Sequence, residues 1–295
     1  MARTNHTLNA IQSLRERYHK ALSGKEDLLR IINEVEIPEH VYNSNAIEDS
    51  TLTLEETEKI LLQIDVDRYV SEREIFEAKN LARVSLYIEK KAKEAEISKD
   101  IMLFLHKMLL SNIRDDIAGR FRKEGEWVRV SNHIGADPAF IDRLITEMLV
   151  SYNADMKSNI VERIARFHLT FESIHPFCDG NGRIGRVVNN YILIREGYTP
   201  INIAFANRAD YYSAFKEFES KRDTKIMEEI VGRALTSSLH KRLAYLEGKE
   251  IITLNEYSKR NSLVHSNLIN KAKRQTIEAF LEKGIWKIGV NVNTK

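Results

Sequence analysis

Ile174-His175-Pro176-Phe177-Cys178-Asp179-Gly180-Asn181-Gly182-Arg183-Ile184-Gly185-Arg186 is the most informative stretch of this chain. Three of the chain's 12 glycines stand within it, at positions 180, 182 and 185. Directly after it, RVVNNYILIREG reads as an amphipathic helix with Gly197 past its end. A glycine-rich turn entering a helix presents unpaired backbone N–H groups and the positive end of the helix dipole. That is an anion site, suited to phosphates. Arg183 and Arg186 lie near one face of the first turn, and each can fork onto phosphate oxygens. Asp179 offers a hard oxygen ligand of the kind that Mg2+ shares with substrate phosphates. His175 titrates near neutrality when unperturbed and is the natural general base for a hydroxyl.

Around this stretch the chain is ordinary for a globular protein. It has 295 residues, 43% hydrophobic and 30% charged, enough for about two domains. Lys plus Arg is 45 against 43 Asp plus Glu, a near-balance that argues against a surface wholly given to nucleic acid or acidic lipid. The single cysteine, Cys178, excludes an internal disulfide and a cysteine-based zinc cluster. No run of 18 or more apolar residues is present, so no membrane partner is expected, and the N-terminus lacks a signal-peptide core. The expected compartment is the cytoplasm.

With only 4 prolines and 12 glycines, the expected fold is mainly α. Thr53-Leu-Glu-Glu56 is a capping box that opens a helix. Asp137-Pro138 reads as an N-cap followed by a proline at the first helical position. Asp223 is the expected cap of a long helix ending near Gly248. Residues 119–136 break the helical pattern: Trp127, Val128, Val130 and Ile134 sit between glycines and predict a β-hairpin or extended flap. Beyond Gly248, helices at about 254–260 and 265–273 precede a short strand, IWKIGV. Residues 249–295 hold nine Lys/Arg against four Glu, a net of +5 that sets them apart as a small basic module.

HPFCDGNGRIGR is similar to the signature of Fic-domain proteins, HxFx[D/E]GN[G/K]R with a second arginine after it, and every specified position matches. The resemblance extends over about residues 95–245. It implies a helical core with a short flap, which transfers a nucleotide part of ATP to a hydroxyl of a protein target. His175 would be the base and Asp179 the Mg2+ ligand. Gly180, Asn181, Gly182 and Arg183 would form the phosphate cradle, continued by Ile184 and Gly185, with Arg186 on the γ-phosphate. Val130, Ser131, Asn132, His133 and Ile134 would be the target-docking flap. NRADYYSAF resembles the stretch that closes the adenosine pocket, which nominates Tyr211 and Tyr212; Glu219 stands where some relatives carry asparagine. Gly182 replaces the lysine typical of the phosphorylating Doc branch, so the likeness favours AMP transfer to Ser, Thr or Tyr.

Tyr42-Asn-Ser44-Asn-Ala-Ile-Glu48-Asp49 resembles the inhibitory motif of Fic proteins, [S/T]xxxE[G/N], with Asp49 at the sixth position in place of Gly or Asn. Ser44 and Glu48 would share one face of a helix at about 38–49. Glu48 would pair with Arg186 in place of the γ-phosphate. The domains expected are thus an N-terminal helical region at 1–95, a catalytic core at 96–248 and a basic module at 249–295. That module resembles an excisionase-type helix-turn-helix, for which DNA contact, homodimerisation and target docking are all open. Two alternatives stay beside adenylyl transfer, self-modification included. One is a phosphodiesterase that removes AMP from a modified protein; the other is an ATP-responsive DNA-binding regulator.

Overall fold

The computed structural model describes residues 2–130 and 133–291, with side chains from residue 10 onward. Ser131 and Asn132 of the expected flap lie outside the described residues. The fold is mainly helical, in the order α1 (Ala2–Leu22), α2 (Glu26–Ile47), α3 (Leu54–Leu61), α4 (Glu72–Lys91), α5 (Lys99–Leu110), β1 (Arg129–Val130), β2 (His133–Ile134), α6 (Ile141–Ala154), α7 (Ile160–Ile174), α8 (Asn181–Arg195), α9 (Arg208–Lys221), α10 (Lys225–Leu246), β3 (Glu250–Thr253), α11 (Leu254–Arg260), α12 (His265–Lys273), β4 (Ala279–Glu282) and β5 (Ile285–Val290). Contacts divide it into two compact units, residues 37–230 and residues 1–36 with 231–295. This cut differs from the one drawn by charge: residues 249–295 cluster with both ends of the helical chain.

In the unit of residues 37–230, α8 is the axis, packed against α4, α5 and α7. It was expected to be amphipathic. Instead residues 183–189 and 191–194 are all buried, including Arg183, Arg186 and Asn189. A helix buried all round normally reads as apolar; here Arg183 and Arg186 are inside because they meet acids there, Glu77 and Glu48, while the buried Asn189 amide meets no hydrogen-bond partner among the described residues. Local signals held where they were local. Thr53 accepts from the Glu56 N–H while the Glu56 carboxylate accepts from the Thr53 N–H, a complete capping box. Asp137 accepts from the Ala139 N–H at a 3-10 turn that leads into α6. The flap is a minimal antiparallel pair, Arg129 opposite Ile134 and Val130 opposite His133. The inhibitory helix expected at about 38–49 begins earlier, at Glu26, and carries Pro38 in its interior.

In the other unit, β3, β5 and β4 form an antiparallel sheet with β5 in the middle. Ile252, Leu254, Leu268, Ala272, Ala279 and Ile288 make its apolar core beneath α11 and α12. Both helices and β5 lie where the sequence put them. β3 and β4 were not foreseen, since each is a four-residue edge strand defined by its pairing to β5. Under α10 runs a buried ion network. The Glu36 carboxylate accepts from Arg242 Nη2 at 2.5 Å and from Lys241 Nζ at 2.9 Å, and Lys241 also reaches Glu282 at 2.7 Å. Arg242 is 1% exposed. Removing one partner of such a cluster leaves a buried charge uncompensated. Glu36→Ala is therefore expected to destabilise this unit by about 3 kcal/mol or more, read as a lower denaturation midpoint for its transition.

Candidate active site

The site is built on the turn between α7 and α8. α7 ends at His175, which takes a left-handed conformation (φ +53°, ψ +61°) while its N–H closes the last turn on the Phe171 carbonyl at 2.9 Å. Pro176 prevents the helix from continuing. A non-glycine residue in this region costs of order 1 kcal/mol and persists only where its surroundings hold it. Three locks do so. Arg122, buried at 3% exposure, donates from Nε to the His175 carbonyl at 2.8 Å, from Nη1 to Glu126 O and from Nη2 to Ala136 O at 2.7 Å. It thereby ties the flap's base to the turn. Asn181 closes the loop on itself: its Oδ1 accepts from the Phe177 N–H at 2.9 Å and its Nδ2 donates to the Phe177 carbonyl at 2.8 Å. His106 on α5 accepts from the Gly119 N–H at Nδ1, so Nε2–H donates to the Asp179 carbonyl at 3.0 Å, with its ring stacked on Phe177.

Gly180 (φ +78°) makes the turn into α8, and a Cβ there would meet Leu110 and Leu109. His175 Nδ1 faces the Glu172 carbonyl at 3.3 Å. A carbonyl only accepts, so Nδ1 carries the proton and Nε2 keeps a free lone pair. Burial first, helped by His133 and Arg122, depresses the His175 pKa to about 4. The ring is therefore neutral at physiological pH and available as a base.

Asp179 is about one quarter exposed and sits among cations. Its Oδ2 is 2.6 Å from Arg73 Nη2, and its Oδ1 is 3.4 Å from Arg183 Nη2. Arg183 and Arg73 are in turn joined by Glu77, at 2.9 and 3.0 Å. A hard carboxylate at this position fits Mg2+, which is commonly held by one or two carboxylates and by substrate phosphates.

Arg186 is 7% exposed and is held by α2, by the residue just past its end and by α9. Nε donates to Ser44 Oγ at 2.9 Å, Nη2 to the Ser44 carbonyl at 2.8 Å and to Glu48 Oε1 at 2.9 Å, and Nη1 to the Tyr211 hydroxyl at 3.2 Å. The Tyr211 hydroxyl donates onward to His168 Nε2 at 2.6 Å. The Glu48 carboxylate lies against Gly182, where any Cβ would collide with it. The chain's own carboxylate thus lies beside the start of α8 and on Arg186. Asp49, the departure from the resembled motif, has φ +66°. Gly, Asn and Asp are the residues that tolerate this region most readily, so the substitution keeps the geometry. Asp49 also pairs with Arg208 at 2.6 Å.

The resemblance nominated Tyr211 and Tyr212 for an adenosine pocket. Tyr211 stands at 2% exposure behind Arg186, and the Tyr212 hydroxyl donates to the Ile47 carbonyl, at the end of α2. In the flap, Val130 and Ile134 are exposed, while His133 Nε2 meets the Ser173 carbonyl at 3.0 Å. Ile184 is fully buried in the core. Arg73, His106, Arg122, His168 and Glu172 were not singled out from sequence. The first four act through partners far along the chain, whereas Glu172 lies three residues before His175; none belongs to the glycine-rich stretch that drew attention.

Residues 96–193 match the model of the Fic/DOC family. The chain is 29% identical over 307 residues to the Drosophila melanogaster protein named protein adenylyltransferase Fic, a match that takes in 96% of this chain and 61% of the fly protein. It thus spans about three fifths of the length of that curated relative. Residues 134–508 of Fic-1 from Caenorhabditis elegans share the fold with a TM-score of 0.69 at 26% identity, covering 82% of this chain and 72% of that one. A Fic-domain signalling protein from Bacteroides thetaiotaomicron gives a TM-score of 0.71 at 24% identity, over 81% and 97% of the two chains. The loop motif, the helical frame that carries it and these likenesses agree, and residues 96–193 of this chain are a domain of the Fic/DOC family.

Proposed function

We propose that the protein is an adenylyltransferase that moves AMP from ATP to a Ser, Thr or Tyr hydroxyl of a protein, and that Glu48 holds it in an inhibited state. One observation carries the reading: a carboxylate from the end of α2 lies on both anion-binding elements of the loop, the Arg186 guanidinium and the α8 N-terminus at Gly182. A chain that blocks a phosphate site with its own anion has a phosphate site to block. The name of the fly relative supports the same chemistry.

In this reading His175 Nε2 takes the proton of the target hydroxyl. The oxygen forms a bond to the α-phosphorus, and the bond to the departing pyrophosphate breaks. Arg183, Arg186 and the N–H groups at the start of α8 carry the phosphate charge, so positioning and charge compensation supply most of the acceleration. Asp179 would hold Mg2+, which supplies charge neutralisation on the phosphates. The alternative direction, removal of AMP, is read out by the same labelled nucleotide.

His175→Ala is expected to lower transfer of α-labelled phosphate by about 100-fold or more while ATP affinity changes only a few-fold, since the ring is not in the cradle. Retained turnover with normal affinity would remove His175 from the mechanism. Glu48→Gly is expected to raise transfer, self-modification included, and Arg186→Ala to abolish the gain. The double variant should match Arg186→Ala, because both residues act through one guanidinium. Arg73→Ala, made in the Glu48→Gly background, should lower the Mg2+ concentration for half-activity by roughly two- to fivefold, since the exposed Arg73 competes with the cation for Asp179. A calorimetric titration with Mg2+ and a non-hydrolysable ATP analogue checks the last point independently of turnover.

A further inference from the structure

Glu172 lies on α7, three residues before His175, and no step of the proposed transfer uses its carboxyl. Its side chain is about 10% exposed, and its Oε2 is 3.7 Å from His175 Nδ1. Its Oε1 is buried and meets no hydrogen-bond partner. α8 leaves room for this carboxyl: a Cβ on Gly185 would lie 2.5 Å from Glu172 Oε1 and 3.0 Å from the His168 ring. The third glycine of the loop motif therefore admits a carboxyl from the neighbouring helix rather than facing an open cleft.

We propose that Glu172 is a positioning residue for His175, its carboxylate fixing the Nδ1 edge of the ring and offsetting the charge that the imidazole gains as Nε2 takes the target's proton. This rests on the transfer reading above. The need follows from the other groups around the ring. Arg122 and His133 both disfavour an imidazolium, and Glu48 favours it. In the active state Glu48 has left Arg186, and Glu172 is the carboxyl that stays beside Nδ1. The resting contact of Nδ1 with the Glu172 carbonyl, at 3.3 Å, is long for an N–H···O bond and readily shared with the carboxylate of the same residue.

The groups facing Glu172 are His168 on its own helix, His175 after it, Arg186 on α8, Glu48 beyond α2 and Tyr211 on α9. Burial first, and then Glu48, raise its pKa to about 8, against the pull of Arg186. An acid raised in this way is mostly protonated at neutral pH and ionises as the pH rises through 8. Compensation of the imidazolium, and with it the rate, should therefore rise across that window. Losing Glu48 removes one of the two raising causes and shifts the window down.

The test compares Glu48→Gly with Glu48→Gly/Glu172→Gln from about pH 6 to about pH 9.5. Transfer of α-labelled phosphate is measured alongside the NMR shifts of the His175 ring in unliganded protein. The parent should show kcat rising with pH to a plateau, and a step in the His175 shifts over the same window. The Gln variant should lose both, with a pH-independent kcat at least tenfold below the plateau and an unchanged KM for ATP. A Gln variant with the parent's kcat and pH profile overturns the proposal. So does a parent His175 ring without that step, which needs no variant to fold. Absence of label transfer by Glu48→Gly would instead sink the transfer reading, and the ring titration alone would then decide whether Glu172 acts on His175.

Discussion

A buried guanidinium cannot shed its proton and cannot be left alone, and Arg186 imposes that constraint on everything around it. Its partners come from the end of α2, from α9 and, through Tyr211, from His168 on α7. Three helices therefore owe their local register to one side chain on a fourth. The state of the site follows from which anion sits opposite. Leaving the position empty would forfeit one charge-assisted bond, about 1.5–3 kcal/mol. Exchanging one anion for another costs far less, and this makes a carboxylate a workable stand-in for a phosphate.

The loop between α7 and α8 answers the opposite problem, holding a strained backbone still. His175 in a left-handed conformation would relax if free. Arg122, Asn181 and His106 each bind a backbone group of the turn from a different direction. None of them needs to touch substrate to matter. They fix where the His175 ring and the Asp179 carboxylate stand before anything binds, and such preorganisation is where a phosphoryl-transfer site gains most.

How far the sequence revealed this depends on the range of each interaction. The capping box at Thr53 and the turn at Asp137 were legible because donor and acceptor lie within three residues. The loop motif was legible because glycines, arginines and an aspartate are adjacent in the chain. α8 was misread as amphipathic, since a polar residue on a periodic pattern is taken to face water. Arg183, Arg186 and Asn189 face inward, two of them toward acids on α4 and beyond α2. Arg122 and His106 could not be found by pattern, because their partners lie 53 and 73 residues away. Asp49, which departed from the resembled motif, proved to occupy the one kind of backbone position where Asp replaces Gly or Asn with little strain.

The strength of the proposed brake follows from what would have to move. Arg186 is gripped by Ser44 through two contacts and by Tyr211 through a third, so it cannot follow Glu48 away. The end of α2 is equally fixed. Asn43 Oδ1 accepts from the Phe205 N–H, the Ile47 carbonyl accepts from Tyr212, and the Glu74 carboxylate accepts from Ser50 and Thr51. Glu48 itself is about one third exposed. In the proposed reading, release would be a rotation of the Glu48 side chain into water, with the helix left in place and Arg186 still holding its two contacts to Ser44 and its one to Tyr211. A charge-assisted bond of this kind is worth about 1.5–3 kcal/mol, which corresponds to roughly a 10- to 150-fold preference for the closed pose. In the proposed reading, a brake of that strength would slow the wild-type protein without silencing it. It also lets the γ-phosphate of a bound nucleotide compete for the same arginine without rebuilding the fold.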